Sequence, residues 1–319
     1  MRRVLALILC ALLLCGCTAR APQEEGGKLH VVTTLFPYYD FARAVAGDAA
    51  EVTLLLSPGR EAHSFEPTPL DAVTIANADV FVYNGGEGEL WADDMLAAVG
   101  ENIPVVRRMM DYVEAEEEEF VEGMQSAEAE HDHEHEHDED SDEIEYDEHV
   151  WTAPENAVTL CTAICEALCE ADGANAETYR KNCAAYCAQL RELDEAFRAL
   201  RARSARDLVV FADRMPFLYF CRAYDLRYRA AFHGCSTDTE PSLATLRYLI
   251  DKVGQEKIPV IYTVDLGSRK IAEAVSECTG AQIDTLYSLQ TISRADFDAG
   301  ETYLTMMERN LHALERGLA

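Results

Sequence analysis

A tract of alternating histidine and acidic side chains lies near the middle of the chain. Five of the nine histidines fall between positions 131 and 149, and the tract has no apolar face with which to build a core. Neutral imidazole suits borderline ions such as Zn²⁺, and carboxylates raise the local concentration of cations. The tract predicts a mobile loop that collects metal ions; a solvated acidic linker is the alternative. The candidate ligands for this collection are His131, His133, His135 and His137.

Four more side chains that could bind a metal ion lie at predicted junctions between strands and helices, where the ligands of α/β sheets usually bind. His63 stands between a glycine turn and a proline-rich turn, and this restricted backbone suits a metal ligand, although a lone loop histidine is often only exposed. His149 ends the acidic tract just before a predicted helix. Asp213 follows a predicted strand, and its alternative role is an ion pair with Arg214. His233 lies near the next loop.

Strand-like and helix-like segments alternate along both halves of the chain. Strands that are separated by helix-length segments are typical of βαβ units and of a parallel sheet, so the predicted fold class is α/β with two lobes. The predicted strands are 29–35, 51–56, 79–83, 103–107, 207–211, 226–232, 258–264 and 282–287. The predicted helices are 37–46, 70–77, 89–99, 154–171, 176–204, 216–224, 241–253, 269–278 and 300–318.

One predicted helix is much longer than the others. The apolar residues of 176–204 recur at helical spacing, and at 1.5 Å per residue this helix could run about 40 Å, longer than one small lobe is wide. We expect it to bridge the two lobes. The predicted domains are an N-terminal α/β lobe at 29–174 that includes the acidic loop 111–149, the bridging helix at 175–204, and a C-terminal α/β lobe at 205–319.

The N-terminus has the pattern of an export signal. Two arginines precede an apolar run of 11 residues, Val4–Leu14, which is too short for a membrane span of about 20 residues. Leu14-Cys15-Gly16-Cys17 resembles a bacterial lipobox, which implies cleavage before Cys17 and lipidation of its thiol. Residues 1–17 are therefore predicted to be a lipoprotein signal peptide, and 18–28 a flexible tether; a soluble signal peptide is the alternative.

The acidic charge of the chain is unevenly distributed. The 319 residues suffice for two medium domains and carry a net charge of −31. Of the 58 acidic residues, 20 lie in 111–149, which contains no Lys or Arg; the rest of the chain has 38 acidic and 27 basic residues. Nucleic acid is excluded as a partner, because phosphate binding needs a basic surface.

Eight cysteines lie beyond the predicted signal peptide. Cys161, Cys165 and Cys169 would line one helical stripe, as would Cys183 and Cys187. They could form disulfides between adjacent helices, bind a soft metal ion, or fill the core as small apolar residues. The chain has no C-x-x-C pair, which favours core packing or disulfides, and the spacing does not predict a pairing.

Several motifs, taken in order, resemble the metal-binding receptors of ABC importers for zinc and manganese, the cluster A-I lipoproteins. The resemblance covers essentially all of the mature chain and implies two α/β lobes joined by one long helix, with the ion held between them by histidines and often a carboxylate. The motifs are the lipobox, Gly59-x-x-x-His63-x-Phe65-Glu66-Pro67-Thr68-Pro69, Asn84–Trp91, the His-rich loop, Glu148-His149-Val150-Trp151, Glu240-Pro241-Ser242 and Gly300–Asn310.

The resemblance implies that His63 and His149 are the first two ligands. A third histidine usually follows the first strand of the second lobe, but Ala212-Asp213-Arg214 stands there in this chain. Asp213 or His233 could take its place, and Gln290 is a weaker candidate. Imidazole ligands favour Zn²⁺ over Mn²⁺, which prefers an oxygen-rich octahedral site; an aspartate ligand would weaken that preference.

We therefore expect a binding protein rather than an enzyme: a monomeric, extracytoplasmic lipoprotein at the bacterial cell surface or periplasm. It would be anchored in the membrane by its lipid, capture Zn²⁺ or Mn²⁺ with small lobe motions, and deliver the ion to an ABC transporter permease. Binding should weaken as the pH falls through about 6.5, because imidazole must be deprotonated.

One alternative function is a zinc hydrolase with Glu61 or Glu66 as the base. The absence of any recognised metallohydrolase motif in the sequence counts against it. Another is a surface metal buffer or adhesin-like lipoprotein.

Overall fold

The computed structural model describes residues 27–62, 65–99, 102–124, 145–236 and 241–319. Within these ranges, no helix combines the length and apolar character that crossing a membrane requires. Several predictions concern residues outside the described ranges: the signal peptide with Cys17, most of the tether, His63, and the four loop histidines at 131–137.

The first sheet contains four parallel strands in the order β2-β1-β3-β4. The central strands consist largely of β-branched and aromatic residues, which pack well on a sheet that is covered on both faces. Successive side chains of such strands point to opposite faces. The strands are β1 (Leu29–Thr33), β2 (Ala50–Leu54), β3 (Val80–Tyr83) and β4 (Val105–Arg108).

The second sheet repeats this arrangement with four parallel strands in the order β6-β5-β7-β8. Strand β5 continues to Met215, beyond the predicted end at Phe211. Its register with β6 shifts between Phe211 and Arg214, so Ala212 and Asp213 lie in an irregularity of the strand. The strands are β5 (Leu208–Met215), β6 (Arg227–His233), β7 (Val260–Val264) and β8 (Gln282–Leu286).

Helices follow most strands, as the alternation of the sequence predicts. Their observed bounds differ from the predicted ones by at most three residues. One short helix, at Arg294–Asp298, was not predicted. The helices are α1 (Phe36–Ala46), α2 (Pro69–Ala76), α3 (Leu90–Val99), α4 (Pro154–Ala171), α5 (Ala176–Arg203), α6 (Leu218–Ala223), α7 (Leu243–Glu256), α8 (Lys270–Thr279), α9 (Arg294–Asp298) and α10 (Tyr303–Leu318).

Alternating strand residues contribute to three apolar clusters. In β1, Val31 belongs to a large central cluster and Val32 to an outer cluster with residues of α2 and α3. In β5, Phe211 belongs to the central cluster and Val210 to a second outer cluster with residues of α7 and α8. The central cluster therefore lies between the two sheets, and the outer clusters lie on their far faces. This arrangement confirms the predicted two-sheet α/β fold.

The 28-residue helix α5 packs against elements of both halves. Tyr186 lies 6.0 Å from Phe41 of α1, measured between ring centroids. Nearer the other end of the helix, Phe197 lies 4.8 Å from Phe220 and 5.4 Å from Tyr224 of the second half. A single helix thus contributes aromatic contacts to the neighbourhood of each sheet.

Candidate metal centre

His149 lies at the end of the acidic tract, immediately before a 3-10 turn, Val150–Thr152, that leads into α4. Its side chain is buried. Its backbone N–H donates to Oδ1 of Asp147 at 2.7 Å, and its Nδ1 lies 3.3 Å from the same oxygen. Thr152 donates to the carbonyl of His149 from Oγ1 at 2.8 Å. These contacts hold the backbone of His149 and orient its ring through Nδ1.

The loop that follows β3 holds the residue before this histidine. Asn84 donates from Nδ2 to the carbonyl of Glu148 at 3.0 Å, and the N–H of Gly88 donates to Oε1 of Glu148 at 2.9 Å. A Cβ atom added to Gly86 would lie 2.4 Å from that carboxylate oxygen. The loop therefore needs glycine where its backbone passes Glu148, and the loop in turn positions His149.

Glu89 holds this loop in shape from inside. Its buried Oε2 accepts the backbone N–H groups of Asn84 at 2.6 Å and Gly85 at 3.1 Å. Burial raises the pKa of Glu89 to about 7, although these two hydrogen bonds act in the opposite direction. The carboxyl group is thus substantially protonated near neutral pH.

Trp151 connects the histidine to the second half of the molecule. Its wholly buried indole donates from Nε1 to the carbonyl of Ser288, after β8, at 2.8 Å. The Tyr303 hydroxyl donates to the carbonyl of Trp151 at 2.7 Å. The indole ring also lies 5.5 Å from the imidazole of His149, in an edge-on arrangement. The indole therefore sets the orientation of His149 relative to the loop after β8.

The two ends of the acidic tract pair with each other, and we call this pairing of 116–118 with 145–147 the loop base. The N–H of Glu118 donates to the carbonyl of Glu145, and the N–H of Asp147 donates to that of Glu116, each at 2.9 Å. The Tyr219 hydroxyl, from α6, donates to the carbonyl of Asp147 at 2.9 Å. The loop base is thus attached to the second half.

Glu118 places a second carboxylate beside this site. Its Oε1 lies 3.8 Å from Nδ1 of His233 and accepts the N–H of Cys235 at 3.2 Å. Burial acts to raise the pKa of Glu118, but its electrostatic interactions with His233 and His149 lower it overall. His233 itself is the last residue of β6, and its ring lies 5.2 Å from that of Phe120.

Asp213 and His149 line one small pocket of about 40 Å³. Both Asp213 oxygens accept backbone hydrogen bonds, Oδ1 from Arg214 at 2.9 Å and Oδ2 from Val264 at 3.0 Å. Burial raises the pKa of Asp213, which these bonds partly offset. The ion pair between Asp213 and Arg214, which the sequence offered as an alternative, is not the contact seen: the guanidinium lies 3.4 Å from Glu61. Gln290 also lines the pocket.

The electrostatics around His149 favour a cation. Burial alone would lower the pKa of the imidazole, but the charges of Asp147, Glu118 and Glu148 and the Asp147 contact raise it overall. Oδ2 of Asp147 is buried and has no hydrogen-bond partner among the residues that the structure describes. Three carboxylates that face one buried imidazole can stabilise a positive ion there as well as a proton.

The structure brings the predicted site residues together only in part. His149 and Asp213 line the same pocket. The carboxylate of Glu118 interacts electrostatically with both His149 and His233. Within the described ranges, however, these side chains do not form a group of three ligand atoms within 4.8 Å of one another. His63 and the loop histidines lie outside those ranges; Glu61, two residues before His63, lines the same pocket.

Sequence reasoning missed Asp147 and Glu118 as neighbours of the site. Both stand in a run of acidic residues, and nothing in the composition of that run distinguishes them from the others. The one available signal was for Asp147, because it lies two residues before a candidate ligand and carboxylates commonly orient metal-binding histidines.

The amino-acid sequence of the chain matches one family model and is similar to several known proteins. The family model for ZnuA, described as zinc-uptake complex component A periplasmic, matches residues 31–317. The zinc-binding lipoprotein AdcA of Streptococcus pneumoniae is 33% identical over 309 residues, which cover 97% of this chain and 59% of AdcA. The high-affinity zinc uptake system protein ZnuA of Bacillus subtilis is 34% identical over 316 residues, which cover 97% of this chain and 95% of that protein.

A solved structure agrees with these sequence matches. The Zn(II)-bound ZnuA-like domain of S. pneumoniae AdcA superposes with a TM-score of 0.73 at 31% identity, over 92% of this chain and 99% of the domain. The chain thus spans rather more than half of the whole AdcA protein and nearly all of its ZnuA-like domain. From the family model, the relatives and the shared fold, the chain belongs to the ZnuA family of zinc-uptake complex components.

Proposed function

We propose that this chain is an extracytoplasmic receptor that captures Zn²⁺ between its two halves and delivers the ion to an ABC transporter permease. The observation that carries the proposal is the buried imidazole of His149, oriented by Asp147 and tied through Trp151 to the second half. The names of the relatives support zinc as the cargo and uptake as the process. Metal binding needs neutral imidazole, so affinity should fall as the pH drops.

His63 and His149 are the proposed first two ligands. For the third, Asp213 is supported by the pocket that it shares with His149, and His233 by Glu118, which faces both histidines. These two candidates differ chemically, since an oxygen ligand from Asp213 would make the site more tolerant of Mn²⁺. Zinc is preferred because imidazoles dominate the set and because the AdcA domain is a Zn(II)-bound structure.

The proposal includes a route by which metal reaches the site. The histidines at 131, 133, 135 and 137 would bind ions weakly, and His149 stands at the end of the same tract. Cys17 would carry the lipid that keeps the receptor at the membrane, with 18–28 as its tether. We expect the receptor to act as a monomer. It would move little on binding, because the backbone N–H of Gly59 already donates across the halves to the carbonyl of Ile292 at 2.7 Å.

The hydrolase alternative is not retained. The family to which the chain belongs is one of receptors for uptake, not of enzymes. Glu61, one of the two bases considered, is paired with Arg214, and Glu66 is exposed. A buried carboxylate close to an open metal position, which hydrolysis would need, is therefore not offered by either residue.

A zinc titration of residues 28–319 by calorimetry, with Mn²⁺ as competitor, tests the proposal. We expect one tight zinc event, which His63→Ala and His149→Ala should each weaken about 100-fold or more. His30→Ala is the matched control, because this exposed histidine pairs only distantly, at 3.8 Å, with Glu51 on β2. Tight zinc binding that survives both ligand changes would reject the site.

The third ligand is identified by two further variants in the same titration. Asp213→Asn keeps the shape of the side chain, and His233→Gln keeps its hydrogen-bonding character. The variant that weakens zinc binding by a similar factor to His149→Ala marks the ligand. Capture of the intact lipoprotein together with its permease from solubilised membranes would separate an uptake receptor from a surface metal buffer or an adhesin.

A further inference from the structure

Five cysteines lie where helices α4 and α5 pack against each other, well outside the proposed zinc site. Cys161, Cys165 and Cys169 follow one face of α4, and Cys183 and Cys187 follow the facing side of α5. The sequence favoured core packing or disulfides for them. All are free thiols, and four of the five are buried; Cys169 is half-buried.

Three of the sulfur atoms are grouped more tightly than core packing requires. The Sγ atoms of Cys161, Cys183 and Cys187 all lie within 4.8 Å of one another, and Cys183 and Cys187 are 3.8 Å apart. A tetrahedral ion with metal–sulfur bonds of about 2.3 Å sets its sulfur atoms about 3.8 Å apart. The trio therefore already has nearly the spacing that such an ion imposes. Among the described residues, it is the one group of three or more His, Cys, Asp or Glu side chains whose ligand atoms all lie within 4.8 Å of one another.

Cys165 stands next to the trio and could complete four-coordination. It interacts with Cys183 and with Cys169, so Cys183 is in contact with thiols of both α4 and its own helix. The four sulfur atoms therefore come from both helices, two from each.

The group is accessible from outside the helix pair. A cavity of about 660 Å³, open to solvent, is lined by Cys165, Cys169, Cys183 and Cys187. The cavity is also lined by Thr162 and by acidic and basic side chains, namely Glu166, Glu170, Arg180 and Arg191. A hydrated cation could therefore approach the sulfurs without unfolding of the two helices.

We propose that Cys161, Cys183 and Cys187, with Cys165 as the fourth ligand, form a second metal site that takes a thiophilic d¹⁰ ion such as Zn²⁺, Cd²⁺ or Cu⁺. Each metal–sulfur bond forms as a thiol releases its proton to solvent, and no electron is transferred. Because the ligands come from α4 and α5, a bound ion would link these helices. The site is separate from His149 and does not depend on the proposed transport function.

Cobalt(II) tests the site, since thiolate ligands give it an intense charge-transfer absorption in the near ultraviolet that histidine and carboxylate ligands do not. The titration uses residues 28–319 carrying His149→Ala, reduced and kept free of oxygen. We expect the thiolate absorption to saturate at one equivalent of Co²⁺ and Cys183→Ser to abolish it. Cys278→Ser, at an exposed position of α8, is the matched control and should leave it unchanged.

A second readout guards against a variant that fails to fold. In the same reduced protein with all its cysteines, one equivalent of Cd²⁺ should slow alkylation of Cys161, Cys183 and Cys187 at least tenfold and leave Cys278 equally reactive. The proposal is overturned if the absorption is absent from that protein, if it survives Cys183→Ser, or if Cd²⁺ leaves the labelling rates unchanged. It is also overturned if protein isolated from its native compartment holds these sulfurs in disulfides. None of these outcomes bears on zinc binding at His149.

Discussion

Gly86 lies where the loop after β3 comes closest to Glu148. Its φ of 84° and ψ of −175° fall in a region that is essentially limited to glycine, and an added Cβ would lie 2.4 Å from the Glu148 carboxylate. We expect Gly86→Ala to lower the free energy of unfolding by about 1–3 kcal/mol and to weaken zinc binding by displacing Glu148 and hence His149. Calorimetric zinc titration and denaturant unfolding measure the two effects.

Gly280 provides the matched control for Gly86. It also has a positive φ, 78°, as the residue that ends α8, but no atom lies within 4 Å of the position that its Cβ would occupy. Gly280→Ala should therefore cost about 1 kcal/mol in backbone strain alone and leave the zinc affinity unchanged. Equal losses of zinc affinity in both variants would mean that Glu148 does not position His149.

Glu89 gives the stability a pH dependence of its own. The pKa of its carboxyl group is about 7 in the folded protein and near 4.5 in the unfolded chain, so the folded state binds more protons between these values. This contribution to stability is present below about pH 4.5 and is lost as the pH rises towards 7. A glutamine side chain cannot ionise. The change that Glu89→Gln makes to the free energy of unfolding of the metal-free protein should therefore be about 1–3 kcal/mol more favourable at pH 7.5 than at pH 4.5.

Urea unfolding at several pH values, with a chelator present, measures this difference. The Gln side chain can still accept from Asn84 and Gly85 through its single oxygen, because one Glu89 oxygen accepts both bonds. Glu87→Gln changes an exposed carboxylate of the same loop and should leave the free energy of unfolding within about 0.5 kcal/mol. A Glu89→Gln effect that does not vary with pH would contradict the assignment.

At the scale of single residues, the sequence indicated a candidate ligand but not the side chains that surround it. His149 stood out because it joins a tract rich in histidine and carboxylate side chains to a helix, and the structure shows it buried beside an orienting carboxylate. Glu118 could not be picked out of its acidic run, because its role comes from a loop base that brings it beside His233 of the other half. Such contacts between distant segments leave no local pattern in the sequence.

The described residues at the two ends of the acidic tract have contacts of their own. The loop base holds residues 116–118 and 145–147 together, and Arg229 of β6 binds Glu122 at 3.1 Å. Deletion of 129–142 keeps all of these contacts. We therefore expect the tight zinc event to survive the deletion, while the number of weak zinc sites falls, and calorimetric stoichiometry distinguishes the two.

A length-matched variant separates the histidines from the loop that carries them. Replacing the four histidines at 131–137 by asparagine should also remove weak sites and keep the tight one. If the deletion abolishes tight binding while the asparagine variant retains it, the tract has a structural role at the site and the proposal that it collects metal fails.

Secondary structure was largely predictable because the strands are β-branched runs and the helices have regular apolar spacing. The errors have local physical causes. Strand β5 passes through an irregularity at Ala212 and Asp213 and resumes pairing at Arg214, which a period of two cannot reveal. The short helix α9 begins with a Ser293 cap, whose Oγ accepts the N–H of Asp296 at 3.0 Å, in a segment with too few residues to show a periodicity.

At the scale of the whole molecule, the two sheets share one apolar core. The central cluster includes strand residues of both sheets and the buried face of α5, and a buried carboxylate adds to it. Asp40 of α1 accepts the hydroxyl of Tyr186 at 2.7 Å and the backbone N–H of Tyr303 at 3.0 Å. The halves therefore should not behave as two independently stable domains, despite the two-lobed pattern that the sequence predicts.

Phe197 of α5 tests this expectation. Its fully buried ring packs on Phe220 and Tyr224, so Phe197→Ala should cost about 3–5 kcal/mol. Because the core is continuous, the loss should lower the temperature of one common transition rather than release the second half alone. Scanning calorimetry would show a single peak with equal calorimetric and van't Hoff enthalpies before and after the change.

Leu70→Ala is the control for Phe197, because Leu70 is largely exposed on α2 and its removal should change stability by less than about 0.5 kcal/mol. Two separate peaks in the Phe197→Ala protein would show that the halves unfold independently and that α5 only tethers them. A single peak would mean that the core beneath the metal site resists opening of the halves. The small motions expected on zinc capture would then follow from the packing of α5 against helices of both halves.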